Sequence, residues 1–155
     1  MNGVKMIDIT SKAESYREAR AEGFIKLRPE TIERIKNKLV EKGDVFAVST
    51  IVAINAVKMT PYILPLTHNI PITGVDVKFE IVEGKGVKVE VVVKTTAKTG
   101  VEMEALVGVV AALLNIWDMV KKYEKDEAGQ YPYTAISEVR VVEKVKGDFG
   151  SENKN

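Results

Sequence analysis

Asp118 and Lys121 stand three residues apart in the otherwise apolar run Ile116-Trp117-Asp118-Met119-Val120. On a helix that spacing puts both on one face. The ordinary reading is an ion pair at a solvent edge. The chemical reading is a partly desolvated pair whose lysine takes part in acid–base work. Two further carboxylates, Glu102 and Glu104, bracket Met103. Glu102 is accounted for as a helix-start residue, whereas Glu104 has no such duty. Glu104 lies 14 residues before Asp118, which on a helix is about 40° in azimuth and about 21 Å along the axis. One small-molecule pocket hardly spans that distance, so if both ends act, another subunit completes the pocket. His68, the only histidine, sits in the proline-bounded loop LPLTHNIP. Loop packing is its ordinary role; a phosphate contact or proton transfer is the functional one, since histidine titrates near neutrality. Lys42 in EKGDVF and Lys58 in NAVKMT are, singly, ordinary surface lysines. Together with Lys121 and His68 they supply the cationic lining that a triphosphate requires. Arg17 and Arg20 are further candidates. With no Walker loop and no GxGxxG in the chain, phosphates would have to be held by side chains.

These groups need a frame, and residues 99–126 are its centre. Thr99 precedes Glu102 by three, the spacing of a capping box. Acidic residues at the start and Lys121, Lys122 and Lys125 near the end suit the helix dipole. The helix is apolar on nearly every side, so it must be covered on more than one face. The run reads as too short and interrupted for a membrane span. Earlier in the chain, residues 16–28 alternate in period two, with Ala19, Ala21, Gly23, Ile25 and Leu27 on one face, which predicts a strand. The small residues there predict a close-packed neighbour. Pro29 opens a helix with the stripe Ile32, Ile35 and Leu39, ending at Lys42-Gly43. Asp44 caps a second helix through Lys58, which stops before Pro61. Residues 62–73 read as a shaped loop, and residues 6–9 as a short strand before the first strand. A hairpin follows, 75–81 and 87–94 around Glu83-Gly84-Lys85-Gly86. The last strand is expected at 136–142, and 146–155 as a frayed polar tail.

With the helix pair counted once the order is βαββαβ, the ferredoxin-like pattern. It predicts an α+β fold with a four-stranded antiparallel sheet, helices on one face and an extra helix to be placed. A single domain over 1–149, followed by a tail at 150–155, fits the length of 155 residues. The net charge of +1 gives no pull toward nucleic acid or membrane, and 6% aromatic residues disfavour a base-stacking surface. Absence of cysteine removes disulfides, thiolate nucleophiles and Cys-type zinc sites, and one histidine cannot build a His-rich metal site. A cytoplasmic address follows by default. The open sheet face and the all-round apolar helix point to association with other subunits.

The segments REARAEGFIKLRPETI, KGDVFAVSTIVAINAVKMTPYILPLTHNIPITG, KTGVEMEALVGVVAALLNIWDMVK and the closing KGDF resemble the cyclic pyranopterin monophosphate synthase family, the molybdenum cofactor biosynthesis C proteins. The resemblance runs from about Met6 to Phe149. It implies a lyase that converts a cyclic dihydroguanosine triphosphate to cyclic pyranopterin monophosphate with release of pyrophosphate, with no cofactor. It also implies a hexamer built as a trimer of dimers, with sites at subunit interfaces. Carried over by motif, the catalytic residues are Asp118, Lys121, Lys42 and Lys58. The substrate-contacting segments are Leu66, Thr67 and His68, and Met103 and Glu104 with the adjacent Glu102. On charge, Lys58 and His68 would hold phosphates, Lys121 with Asp118 would move protons, Lys42 would polarise the guanine part, and Glu104 would bind the pterin's donor edge. Thr67 stands where the family commonly has cysteine, so a thiol is not essential here or the hydroxyl replaces a hydrogen bond. The late glycine-containing segment is shortened, leaving Lys144 and Lys146 as candidates for the family's late basic residue. Two other readings compete: a non-catalytic ferredoxin-like regulatory or oligomerisation module, and a metal-dependent phosphohydrolase, which would need clustered carboxylates.

Overall fold

The computed structural model describes residues 3–147; most of the expected tail lies outside them. Among these residues, four strands and four helices run in the order β1 Ser15–Lys26, α1 Pro29–Lys36, α2 Val45–Lys58, α3 Thr60–Ile63, β2 Ile72–Val82, β3 Gly86–Ala97, α4 Glu102–Glu124, β4 Ala135–Gly147. The sheet order is β2-β3-β1-β4 with every pair antiparallel. This is the ferredoxin-like α+β arrangement, with α1 and the one-turn α3 as additions to its two helices.

The alternation of β1 holds. Ala19, Ala21, Ile25 and Leu27 are fully buried, and they face α4 together with Val87, Val89, Val91 and Val93 of β3. The close neighbour that the small residues predict is α4. A Cβ built on Gly23 would lie 2.7 Å from Leu113 Cδ1 and 2.8 Å from Val109 Cγ1. Likewise, a Cβ on Gly108 would lie 2.8 Å from Val57 Cγ2, so α2 presses closely on α4. The opposite sheet face is paved with ion pairs: Arg20 with Glu90 at 2.8 Å, Lys88 with Glu22 at 3.0 Å and Arg140 with Glu22 at 2.8 Å. Hydrogen bonds from Arg140 and then Lys88 hold the Glu22 carboxyl below its ordinary range.

Several local expectations are corrected. α4 begins at Glu102 with Val101 as N-cap and no side-chain capping bond, so there is no Thr99 capping box. Val101 is fully buried, and seating its side chain sets the helix start. The first helix ends at Lys36, not Lys42. Lys38 adopts φ 56°, and Leu39 turns out to solvent while Val40 takes the buried place. α2 does stop at Lys58, before Pro61; what changes is the loop expected over 62–73, whose start lies in the short α3, with Pro61 in its first turn where a missing N–H costs nothing, and whose end is already β2 from Ile72. Met6 to Ile9 form no strand. β4 extends well past Val142, to Gly147. Register shifts against β1 at Arg20/Ala21 and Glu22/Phe24 break the period-two signal that would have revealed its length. α4 is long and apolar enough by length and composition to cross a membrane, so brevity does not argue against a span. Half of its most apolar window is instead buried in this core.

Glu124, in the last turn of α4, is a buried anchor that nothing in the sequence flags. It is fully buried, accepts the Arg28 N–H at 3.1 Å and the Thr134 hydroxyl at 2.7 Å, and also takes the Thr31 hydroxyl. One carboxylate thus ties the end of β1, the start of α1 and the approach to β4 onto α4. Such charge-assisted bonds are the stronger class, each worth roughly 1.5–3 kcal/mol.

Candidate active site

Asp118 projects from the C-terminal third of α4 and receives two ammonium groups. Lys121 Nζ lies 3.1 Å from Oδ1, and Lys42 Nζ lies 3.0 Å from Oδ2. Lys42 also donates to the Asp118 carbonyl at 3.3 Å. The helical spacing brings Lys121 to Asp118, but Lys42 arrives from the turn between α1 and α2. All three side chains are about half exposed. The hydrogen bond from Lys42, then that from Lys121, holds the Asp118 carboxyl below its ordinary range. Asp118 is therefore an anion at neutral pH, suited to orienting and charge-balancing two lysines rather than to giving up a proton. The cluster keeps an excess positive charge, open to an anionic ligand.

α2 runs antiparallel to α4. Lys42, just before α2, meets Asp118; midway, Asn115 Nδ2 donates to Ser49 Oγ at 3.0 Å; near its far end Val57 faces Gly108. Asn115 is thus a packing bridge between helices. Lys58 closes α2 exposed, with no ion pair among the described residues, on the N-terminal side of α4. On that side lie the other candidates. Glu104 is 3% exposed, and burial, reinforced by the neighbouring Glu102, pushes its carboxyl above the ordinary range. Met103 and Leu66 are exposed. Glu102, freed of any capping role, lies 3.6 Å from Lys144 Nζ. Thr67 donates its hydroxyl to the Leu64 carbonyl at 2.7 Å.

His68 Nε2 lies 2.6 Å from the Ile7 carbonyl. A carbonyl can only accept, so the proton is on Nε2 and Nδ1 is left for a ligand or solvent. The N-terminal segment therefore belongs to this end of the molecule. A cavity of about 370 Å³ is lined by Met6, Ile7, Asp8, Thr10, His68 and Lys98 among others. Lys98 Nζ donates to the Thr10 carbonyl at 3.0 Å. The Thr10 hydroxyl and N–H hold Asp8 below its ordinary range. Sequence reasoning passed over Asp8 and Lys98; Asp8-x-Thr10 is an Asx-turn spacing and was the available signal.

The fold thus unites Lys42, Asp118 and Lys121, but not these with Glu104, about 21 Å away along α4, nor with Lys58 and His68, which lie toward the N-terminal side of that helix. Among the described residues no three His, Asp or Glu side chains come together as a metal-ligand group. The carboxylate cluster that a metal-dependent phosphohydrolase needs is therefore not found among those residues.

Fold and site together define a cysteine-free, ferredoxin-like α+β protein whose candidate site sets two lysines on one carboxylate. The family model described as the MoaC family matches residues 6–147, and the chain belongs to that family. A protein of Sulfurisphaera tokodaii is 57% identical over 146 residues, 94% of this chain and 96% of the relative. A Pyrococcus furiosus protein is 56% identical over 144 residues, 93% of this chain and 92% of its own. One from Aeropyrum pernix is 56% identical over 147 residues, covering 95% of this chain and 100% of the relative. Each carries the name probable cyclic pyranopterin monophosphate synthase.

Proposed function

We infer that this chain is a cyclic pyranopterin monophosphate synthase, the lyase of molybdenum cofactor biosynthesis that turns a cyclic dihydroguanosine triphosphate into cyclic pyranopterin monophosphate and pyrophosphate. Relatives of that name share more than half of its residues over nearly its whole length. The observation that carries the reading is Asp118 held between Lys42 and Lys121 within DMVK, the motif at the heart of the resemblance.

In this reading Asp118 balances and aims the two lysines. Lys121 moves a proton during ring rearrangement, and Lys42 polarises the purine-derived part. Lys58 holds phosphates at the other end of α4, together with His68 in its doubly protonated form, whose Nδ1–H can donate to a phosphate oxygen. Glu104, which burial biases toward the protonated form, donates to or accepts from the pterin edge, beside Met103, Leu66 and Thr67. Glu102 keeps Lys144 at the same end, which favours Lys144 over Lys146 as the late basic residue. Because one chain holds the two groups far apart, we propose a homo-oligomer, a hexamer built of dimers, in which one subunit's Asp118 end meets another's His68 end. The exposed apolar groove of Ile63, Leu64, Met103, Leu106, Val110 and Leu114 supports such pairing. A single domain in the cytoplasm is the setting this reading takes.

The test is turnover of the cyclic triphosphate by the wild type beside Asp118→Ala and Lys121→Ala. Pyrophosphate release and a product that oxidises to a fluorescent pterin are expected, reduced at least about 100-fold in each folded variant. Failure of folded, oligomeric wild type to turn over, with and without magnesium, would leave a binding module as the better reading.

A further inference from the structure

Lys42 reaches Asp118 from a turn, residues 37–44, in which Lys38 and Gly43 both have positive φ, 56° and 116°. A long side chain on such a segment aims at one carboxylate only if its backbone is held. Two neighbours of Lys121 on α4 hold it. The Tyr123 hydroxyl accepts the Glu41 N–H at 2.9 Å, and Lys122 pairs with the Glu41 carboxylate. Arg34 of α1 lies 4.5 Å from the Tyr123 ring centre and donates to the Leu39 carbonyl at 3.4 Å, fastening the turn from its other side. Beyond Lys42, Asp44 caps α2 through the Ala47 N–H at 3.1 Å. We propose that Tyr123, assisted by Lys122, is a positioning residue: it fixes the backbone at Glu41 so that the next residue delivers its ammonium to Asp118. This rests on the reading of Lys42 and Asp118 as catalytic partners. Tyr123 acts through the turn, since its hydroxyl bonds the Glu41 N–H and not Lys42 or Asp118.

Tyr123→Phe keeps the ring under Arg34 and deletes only the acceptor. The Glu41 backbone is exposed, so water replaces the lost bond and the fold survives. Two measurements decide the matter in wild type, Tyr123→Phe, Lys42→Ala and the double variant. The first is the NMR titration of the Asp118 carboxyl. A lost donor favours the neutral acid, so Tyr123→Phe is expected to move the midpoint up toward that of Lys42→Ala. The second is steady-state turnover, where kcat/KM is expected to fall roughly 3- to 10-fold in Tyr123→Phe, with no further fall when Lys42 is already alanine. An unchanged Asp118 titration in Tyr123→Phe, or an equal fall in both backgrounds, overturns the proposal. The titration needs no substrate, so the positioning role stands or falls by it even if the wild type proves inactive on the triphosphate.

Discussion

Glu104 shows how one residue's environment redefines it. In the sequence it is one of two acids in a helix's first turn, where the dipole favours charge. In the fold it is buried, and burial raises its carboxyl above the ordinary range. A folded value above the unfolded one gives a stability contribution that is fully present below the unfolded value and is lost as pH rises through the folded value. Above the unfolded value that contribution shrinks as pH rises. Glu104→Gln should therefore melt higher than wild type at pH 7, with the difference closing below about pH 4. Thermal scans at both pH values check this; equal midpoints at pH 7 would mean that a cation from another subunit compensates the carboxylate. Asp118 is the opposite case, an acid kept ionised by two lysines although half exposed. Thr67 answers the cysteine question at its own position: its hydroxyl closes the loop's backbone at the Leu64 carbonyl, a task that needs no thiol.

At the scale of elements, α4 and β1 are matched by volume. Gly23 leaves room for Leu113 and Val109, both fully buried, and any side chain there pushes on them. Gly23→Ala should lower stability by about 1–3 kcal/mol through overpacking. A urea midpoint that falls with an unchanged slope is the expected result; an unaltered midpoint would show that α4 can shift outward at little cost. β1, β2 and β3 were legible from their alternation, α2 from its Asp44 cap, and α4 from the length of its apolar run. The errors fall where a local rule met a tertiary demand. Thr99 and Glu102 have capping-box spacing, but burying Val101 moves the helix start. The bulges opposite β1 hid half of β4.

For the whole molecule, the separation of the two candidate groups matters more than either alone. α2 and α4 lie antiparallel, so the turn carrying Lys42 and the loop carrying His68 are at opposite ends of the helix layer. If the active site combines one subunit's Asp118 with another's His68, His68→Ala and Asp118→Ala variants, each inactive, should regain turnover when dissociated and reassembled together. A reassembled mixture of proper size that stays inactive would place all the chemistry within one chain.

Periodicity and element order alone determined the βαββαβ frame, the faces of β1 and the run of α4, because period and caps are local properties of the chain. The spacing of Asp118 and Lys121 on one helical face followed from the same helical geometry. Tertiary structure decided what joins them. Lys42 reaches Asp118 across 76 positions, and Ile7 meets His68 across 61. Glu124 became the hub of three elements and Glu41 was fastened to Tyr123. None of these can be read locally, because each depends on which surfaces close on one another when α2 and α4 settle on the sheet.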